Sequence, residues 1–116
     1  MAKYTETTSH DKVWGAEHWL ENGLYCMKVL VLKPGFQSSL HYHEKKTETF
    51  LVMSGVVCLE SPPGNVTQLL PGDFFTLKPF VSHRFWSSNS RTALVVEAST
   101  HHDDSDVVRL EESRKL

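Results

Sequence analysis

Apolar residues recur along this chain in short segments that alternate with polar turns rich in glycine and proline. The segment Leu24–Leu32, with apolar residues at 25, 27, 29 and 31, has the two-residue period of a β-strand. Further strands are predicted at Ser38–His43, Glu48–Ser54, Val56–Glu60, Val66–Leu70, Phe74–Leu77, His83–Trp86 and Thr92–Ala98. About eight short strands separated by turn residues predict an all-β sandwich or barrel.

The chain of 116 residues fits one domain. We predict a flexible N-terminal arm over residues 1–11, a β domain over residues 12–110 and a charged C-terminal tail over residues 111–116. Two polar runs, Glu44–Thr47 and Asp103–Asp106, are expected to form turns exposed to solvent.

Composition narrows the class of protein. Hydrophobic residues make up 40% of the chain and charged residues 22%, which allows a real core. The net charge of −2 gives no reason to expect binding to nucleic acid or to an anionic membrane. No apolar run approaches the roughly 18 residues that span a bilayer, and the first residues have no apolar core, so we predict a cytoplasmic protein. Cys26 and Cys58 lie in apolar segments and are expected to be small buried hydrophobic residues.

The candidate chemistry lies in two consecutive strands. His41 and His43 stand two residues apart in one strand, so both imidazoles point to the same face, roughly 7 Å apart along the strand. At that separation two nitrogens can converge on one cation at about 2.0–2.1 Å each. Glu48 shares a face with Phe50 and Val52, so we expect its carboxylate inside the barrel beside the histidines.

The spacing of these residues resembles the first motif of the cupin family. The matching positions are Gly35, His41, His43, Glu48 and Gly55. The second cupin motif begins at Gly72-Asp73 and expects a histidine eleven residues after its glycine, where His83 stands. Three other positions depart from that motif, because Lys78, Phe80 and Ser87 replace its proline, glycine and asparagine.

The resemblance implies a double-stranded β-helix, or jelly-roll barrel, that binds one divalent metal ion. The implied ligands are His41, His43, Glu48 and His83. Three nitrogens and one carboxylate suit iron, manganese, zinc, nickel or copper, and the sequence does not distinguish among these metals.

Flanking residues are similar to the cupin domain of type II mannose-6-phosphate isomerases. The similar segments are Lys12–Gly15, Ser39–His43, Glu48–Phe50, His83–Phe85 and Asp106–Leu110. This likeness implies a metal-dependent sugar or sugar-phosphate isomerase in which the metal stabilises an enediolate. Glu97 is the candidate base, either buried on the face of Ala93 and Val95 or in water at the strand end.

Weaker candidates for contact with a substrate are Arg84, Gln37 and Tyr25, with Arg84 alternating in face with His83. Two other functions use the same residues: an Fe(II)-dependent dioxygenase and a non-catalytic sugar-binding or regulatory module. Cupins often pair, so we expect a homodimer, with Trp14 and Trp19 either anchoring the partner or covering the barrel's own sheet.

Overall fold

The computed structural model describes residues 8–88 and 90–116, and these residues form an almost entirely β structure. The strands are β1 Thr8–Lys12, β2 Gly15–Asn22, β3 Tyr25–Leu32, β4 Phe36–Gln37, β5 Leu40–His43, β6 Glu48–Ser54, β7 Val57–Glu60, β8 Val66–Leu69, β9 Phe74–Leu77, β10 Arg84–Ser87, β11 Ala93–Thr100, β12 Val107–Glu111 and β13 Arg114–Lys115. One 3-10 turn, Asp104–Asp106, precedes β12. The all-β prediction is confirmed.

The strands form two principal sheets and one additional pair. The larger sheet has the order β1-β2-β3-β11-β6-β9, and the smaller one has the order β13-β4-β10-β7-β8. Strands β5 and β12 pair separately, and an antiparallel bridge between His41 and His83 links this pair to the start of β10. The inner faces of the sheets enclose the core and a polar cavity at one end.

Alternation of side chains decides which residues of the large sheet face inward. In β6 the buried residues include Glu48, Phe50 and Val52, which confirms the predicted interior face. In β3 the buried residues are Cys26, Lys28, Leu30 and Leu32. The apolar residues at positions 25, 27, 29 and 31 therefore face outward.

Aromatic rings hold the two sheets together. Trp14 meets Phe85 edge-on at 5.1 Å between ring centroids, and Phe50 meets Phe85 at 5.6 Å. Trp14 is only 5% exposed and belongs to the core, whereas Trp19 lies over the ammonium of Lys28 and against the edge of His102. Both tryptophans therefore pack on the protein's own sheet.

Both described ends of the chain pair with neighbouring strands. Thr8–Lys12 forms an edge strand along β2, so the described part of the predicted arm is ordered structure, while residues 1–7 lie outside the described residues. Arg114–Lys115 pairs with β4. Charged residues at both ends thus occupy strand edges, where their side chains stay in water while the backbone pairs.

Two residues have unusual backbone conformations. Gly15 has φ +148°, and a Cβ atom there would lie 1.8 Å from the carbonyl oxygen of Val31. Phe80 has φ +67°, so the position where the family motif has glycine keeps a left-handed backbone although it carries a bulky side chain. Among the described residues, no helix is long and apolar enough to cross a membrane.

Candidate metal centre

Four side chains from three parts of the fold converge inside the barrel. β5 supplies His41 and His43, β6 supplies Glu48, and His83 is fixed opposite His41 by paired backbone hydrogen bonds of 3.1 and 2.9 Å. One ligand atom from each of the four residues lies within 4.8 Å of the others. Strand alternation predicted that His41, His43 and Glu48 face the interior, and the resemblance to the second cupin motif implied His83 as the fourth residue.

Hydrogen bonds to backbone carbonyls orient two of the imidazoles. His83 Nδ1 donates to the carbonyl of Val81 at 2.9 Å, and His41 Nδ1 donates to the carbonyl of Ser39 at 3.0 Å. In a neutral imidazole the other nitrogen, Nε2, then carries a lone pair. This is the arrangement usual for histidines that bind metals. His43 differs, because its Nδ1 is buried without a hydrogen-bond partner among the described residues.

The donor atoms of the cluster fit a shared cation. Glu48 Oε1 lies 2.9 Å from His83 Nε2 and 3.6 Å from His43 Nε2. Glu48 Oε1 and His83 Nε2 are both buried and lack a well-formed hydrogen bond among the described residues. Two facing lone pairs in the interior require a proton or a metal ion between the groups, so these residues are suited to hold a divalent metal.

The protonation of the cluster agrees with this fit. Burial, followed by the neighbouring His83, lowers the pKa of His41 to about 3, and burial lowers the pKa of His43 to about 4. Burial alone would raise the pKa of Glu48, but contacts with His83 and Lys46 outweigh it and lower that pKa. At neutral pH these groups are therefore in the forms that bind metals.

Lys46 lies inside the protein, and the prediction that the whole Glu44–Thr47 run is exposed is wrong for this residue. Glu44 and Lys45 are exposed, but Lys46 is only 3% exposed. The carboxylate of Asp106 accepts hydrogen bonds from the backbone amides of residues 44, 45 and 46 at 3.0 to 3.3 Å. This nest of amides turns the loop so that the Lys46 side chain points inward.

The ammonium of Lys46 lies among three acceptor groups. Its Nζ is 3.1 Å from Glu48 Oε2, 2.7 Å from Glu97 Oε2 and 3.0 Å from His102 Nδ1. Burial alone would lower the pKa of Lys46, but the carboxylates of Glu48 and Glu97 outweigh it and raise that pKa well above its usual value. Lys46 therefore remains an ammonium that joins the candidate metal ligand Glu48 to Glu97.

Glu97 lies within the barrel and is 4% exposed. This agrees with the first of its two predicted placements, burial on the face of Ala93 and Val95. Burial and the nearby Glu48 carboxylate raise the pKa of Glu97, while Lys46 opposes them. Glu97 lines a cavity of about 100 Å³ together with His41, His43, Glu48 and Lys46. A buried carboxylate whose pKa is raised is suited to accept and return a proton.

The weaker candidates do not line this cavity. Tyr25 is 58% exposed at the start of β3. The side-chain oxygen of Gln37 accepts a hydrogen bond from Arg114. Arg84 contacts Glu60 at 3.2 Å and Glu111 at 2.6 Å, because it alternates in face with His83 and so points away from the cavity.

Sequence reasoning did not place Lys28, Lys46 or His102 in the cavity wall, where the structure has them. Lys28 lies on the same face of β3 as the buried apolar residues of that strand, so the alternation of the strand could have predicted its burial. Its ammonium pairs with Glu17 at 3.1 Å. Lys46 and His102 give no such signal, because their burial depends on contacts between segments 56 residues apart.

Comparison with known proteins agrees with the fold. The sequence model of the cupin domain family matches residues 28–102, so the chain belongs to that family. The predicted jelly-roll cupin fold is thereby confirmed, although hydrogen bonding does not close the two sheets into one continuous barrel. No curated protein sequence matches the chain.

Solved structures of low sequence identity share the fold. The capsular polysaccharide assembling protein CapF from Staphylococcus aureus superposes with a TM-score of 0.78 at 17% identity over 92% of this chain, which spans 32% of CapF. A sugar phosphate isomerase of the cupin superfamily from Silicibacter pomeroyi gives 0.68 at 20% identity, covering 83% of this chain and 75% of its own. The nucleoside dehydratase Pac13 from Streptomyces gives 0.79 at 13% identity, covering 97% and 92%.

Proposed function

We propose that this protein is a metal-dependent cupin enzyme that moves a proton between neighbouring carbons of a small hydroxy-carbonyl compound, of the sugar or sugar-phosphate class. The observation that carries the proposal is a second buried carboxylate, Glu97, in the same cavity as His41, His43 and Glu48. A sugar phosphate isomerase among the proteins of similar fold supports the choice of substrate class.

Each residue of the cavity has a distinct task in this proposal. His41, His43, Glu48 and His83 would hold one divalent metal ion, which when bound supplies Lewis acidity toward a carbonyl and an adjacent hydroxyl. Glu97 accepts the proton from one carbon at its carboxylate and returns it to the other. Lys46 keeps Glu97 beside Glu48, and the apolar wall formed by Phe50 and Phe85 limits the entry of water.

Isotope exchange tests the proposal directly. The metal-loaded protein is incubated in D₂O with aldoses, ketoses and their phosphates, and mass spectrometry records deuterium at the carbon next to the carbonyl. Glu97→Gln keeps the shape of the side chain and removes the base, so we expect exchange to fall at least about 100-fold, within the usual contribution of a general base. Metal content should remain that of the wild type.

The alternative functions predict other outcomes. Oxygen uptake with an iron-loaded protein, without deuterium exchange, would contradict the isomerase proposal and favour a dioxygenase. A binding-only module would bind sugars without turnover, and it would be favoured if Glu97→Gln left exchange unchanged or if no exchange occurred. The burial of Glu97 beside Lys46 supports catalysis over binding alone.

The homodimer and the cytoplasmic location stay predictions, and for the dimer a surface other than the tryptophans is the better candidate. The outer face of the large sheet carries a cross-strand row made of Val29, Val96, Leu51 and Phe74. Phe74 is 69% exposed, and this row has no charged residue, although surfaces are usually about 25–35% charged. We infer that a second copy covers this face, as large exposed apolar patches commonly mark interaction sites.

Light scattering after gel filtration tests the dimer. Phe74→Lys places a charge on the outer face and should convert a dimer to a monomer. Leu24→Lys is the matched control, because Leu24 is fully exposed in the turn between β2 and β3. A monomeric wild-type protein, or a Phe74→Lys variant that remains dimeric, would contradict the assignment.

A further inference from the structure

The segment that follows β11 holds Lys46 from two sides. Asp106 accepts the backbone amides of residues 44, 45 and 46, and the imidazole of His102 meets the Lys46 ammonium at 3.0 Å. The backbone of Lys46 and the tip of its side chain are therefore fixed by one short segment. The prediction that the Asp103–Asp106 run is exposed is wrong for Asp106, which is only 9% exposed, and the preceding His102 is equally buried.

His102 is itself fixed on every side. Its backbone amide donates to Asn22 Oδ1 at 2.8 Å, and its carbonyl accepts from Asn22 Nδ2 at 3.0 Å. Its ring packs edge-on against Trp19 at 5.1 Å, and its Nε2 lies 2.7 Å from Asp104 Oδ1. Few rotamers of His102 satisfy all of these contacts at once.

Donors and acceptors determine the tautomer of His102. A lysine ammonium has only donors, so the Nδ1 that meets Lys46 must carry the lone pair. The proton of the ring then lies on Nε2 and is donated to the carboxylate of Asp104. Because Asp104 accepts the proton of Nε2, Nδ1 of His102 stays unprotonated and can accept a hydrogen bond from Lys46.

The ammonium of Lys46 has three N–H groups and three acceptor groups within 3.1 Å, which are Glu48, Glu97 and His102. Removing the acceptor at His102 would leave one buried N–H group unsatisfied and allow the ammonium to leave its place between the carboxylates. The contacts of His102 therefore affect the position of the Glu97 carboxylate through Lys46.

We propose that His102 and Asp104 form a positioning pair that sets the place of the Lys46 ammonium and, through it, the orientation of Glu97. The effect on catalysis rests on the function proposed above, while the effect on Lys46 does not. Neither residue needs to touch the substrate. Both act from the rim of the cavity, and the side chain of Asp104 is 87% exposed.

Chemical labelling of amines tests the placement of Lys46 without any activity. An amine-acetylating reagent and peptide mass spectrometry compare Lys46 with the exposed Lys45 in the same protein. In the wild type we expect Lys46 to react at least about tenfold more slowly than Lys45, because it must first open locally. His102→Leu removes the acceptor and should bring the rate at Lys46 toward that at Lys45.

Three further variants make this test specific. His102→Asn keeps an acceptor near the place of Nδ1 and should restore the protection of Lys46. Asp104→Asn should shift the ¹⁵N resonances of the His102 ring away from the Nε2–H tautomer of the wild type. His101→Asn is the matched control, because His101 is exposed and its ring hydrogen-bonds to the carbonyl of Gly23. Equal labelling of Lys46 in the wild type and His102→Leu would overturn the proposal.

Deuterium exchange then separates positioning from general stability. His102→Leu should lower kcat at least about tenfold with KM and metal content unchanged, and His102→Asn should recover most of it. An unchanged kcat together with exposed Lys46 would overturn the catalytic part of the proposal. If the wild type shows no exchange at all, the proposed function fails, while the labelling result still decides whether His102 positions Lys46.

Discussion

Replacing Lys46 by methionine should strongly destabilise the metal-free protein. The substitution keeps most of the apolar stem of the side chain and removes the ammonium between Glu48 and Glu97. These carboxylates are 2% and 4% exposed, so water cannot replace the lost cation. Removing one partner of a buried ion pair costs about 3–5 kcal/mol. We expect about 3 kcal/mol, because Glu97, whose pKa is already raised, can take up a proton and relieve part of the repulsion.

Urea unfolding at pH 7 in the presence of a chelator measures this loss. With a slope of about 1–3 kcal/mol per molar urea, a loss of 3 kcal/mol lowers the midpoint by roughly 1–3 M. Lys45→Met is the control, because Lys45 is exposed and substitutions at such positions usually change stability by less than about 0.5 kcal/mol. The loss should shrink as the pH is lowered, since protonated carboxyl groups no longer repel each other.

A double-mutant cycle with Glu97→Gln isolates the pair. If Lys46 and Glu97 interact as the distance of 2.7 Å indicates, the double variant should lose about 1–3 kcal/mol less than the sum of the single losses. Additive losses, or a loss of less than about 1 kcal/mol for Lys46→Met, would refute the reasoning that this ammonium compensates the buried carboxylates.

Three further predictions follow from local structure. Gly15→Ala should cost about 3 kcal/mol or more in chemical unfolding, because its Cβ would meet the Val31 carbonyl oxygen at 1.8 Å, and a normal free energy of unfolding would contradict this backbone path. Phe80→Gly should raise the free energy of unfolding by about 1 kcal/mol by relieving the left-handed backbone, and a loss would show that the ring contributes more than the strain. The folded-state pKa values of His41 and His43 lie below the unfolded value near 6.5. Their contribution to the free energy of unfolding of the metal-free protein should therefore be complete above pH 6.5 and be lost as the pH falls toward 4. Equal stability at pH 7 and pH 4.5 would contradict their burial as neutral rings.

Strand periodicity predicted the part of the site that depends on local alternation. His41 and His43 share a face because they are two residues apart in β5, and Glu48 faces inward with its β6 neighbours. The spacing of the second motif then placed His83 opposite them. These predictions agree with the structure because the side-chain direction in a strand follows from sequence position alone.

The polar surroundings of the site could not be predicted in the same way. Lys46 stands in a charged run and His102 precedes an acidic one, and both compositions are typical of exposed turns. Their burial depends on Asp106 capturing the backbone of the earlier loop, a contact between residues about 60 positions apart. A buried charge is tolerated only where partners surround it, and those partners become visible only once the chain is folded.

The phenylalanine at position 80 shows a different limit. The family motif has glycine there, and this chain has a phenylalanine instead. The structure keeps the left-handed backbone, and the amide of Phe80 donates to the carbonyl of His43 at 2.7 Å. Tertiary contacts thus hold a conformation that the side chain disfavours.

The central claim is that His41, His43, Glu48 and His83 hold one divalent metal ion, and quantitative metal analysis tests it most directly. The wild-type protein, reconstituted and dialysed, should contain about one metal ion per chain. His83→Asn should reduce the affinity for the metal by more than about 100-fold, a larger effect than loss of a supporting contact would have. His101→Asn should retain the wild-type content. A wild-type protein without bound metal, or a His83→Asn variant that binds metal as the wild type does, would contradict the account.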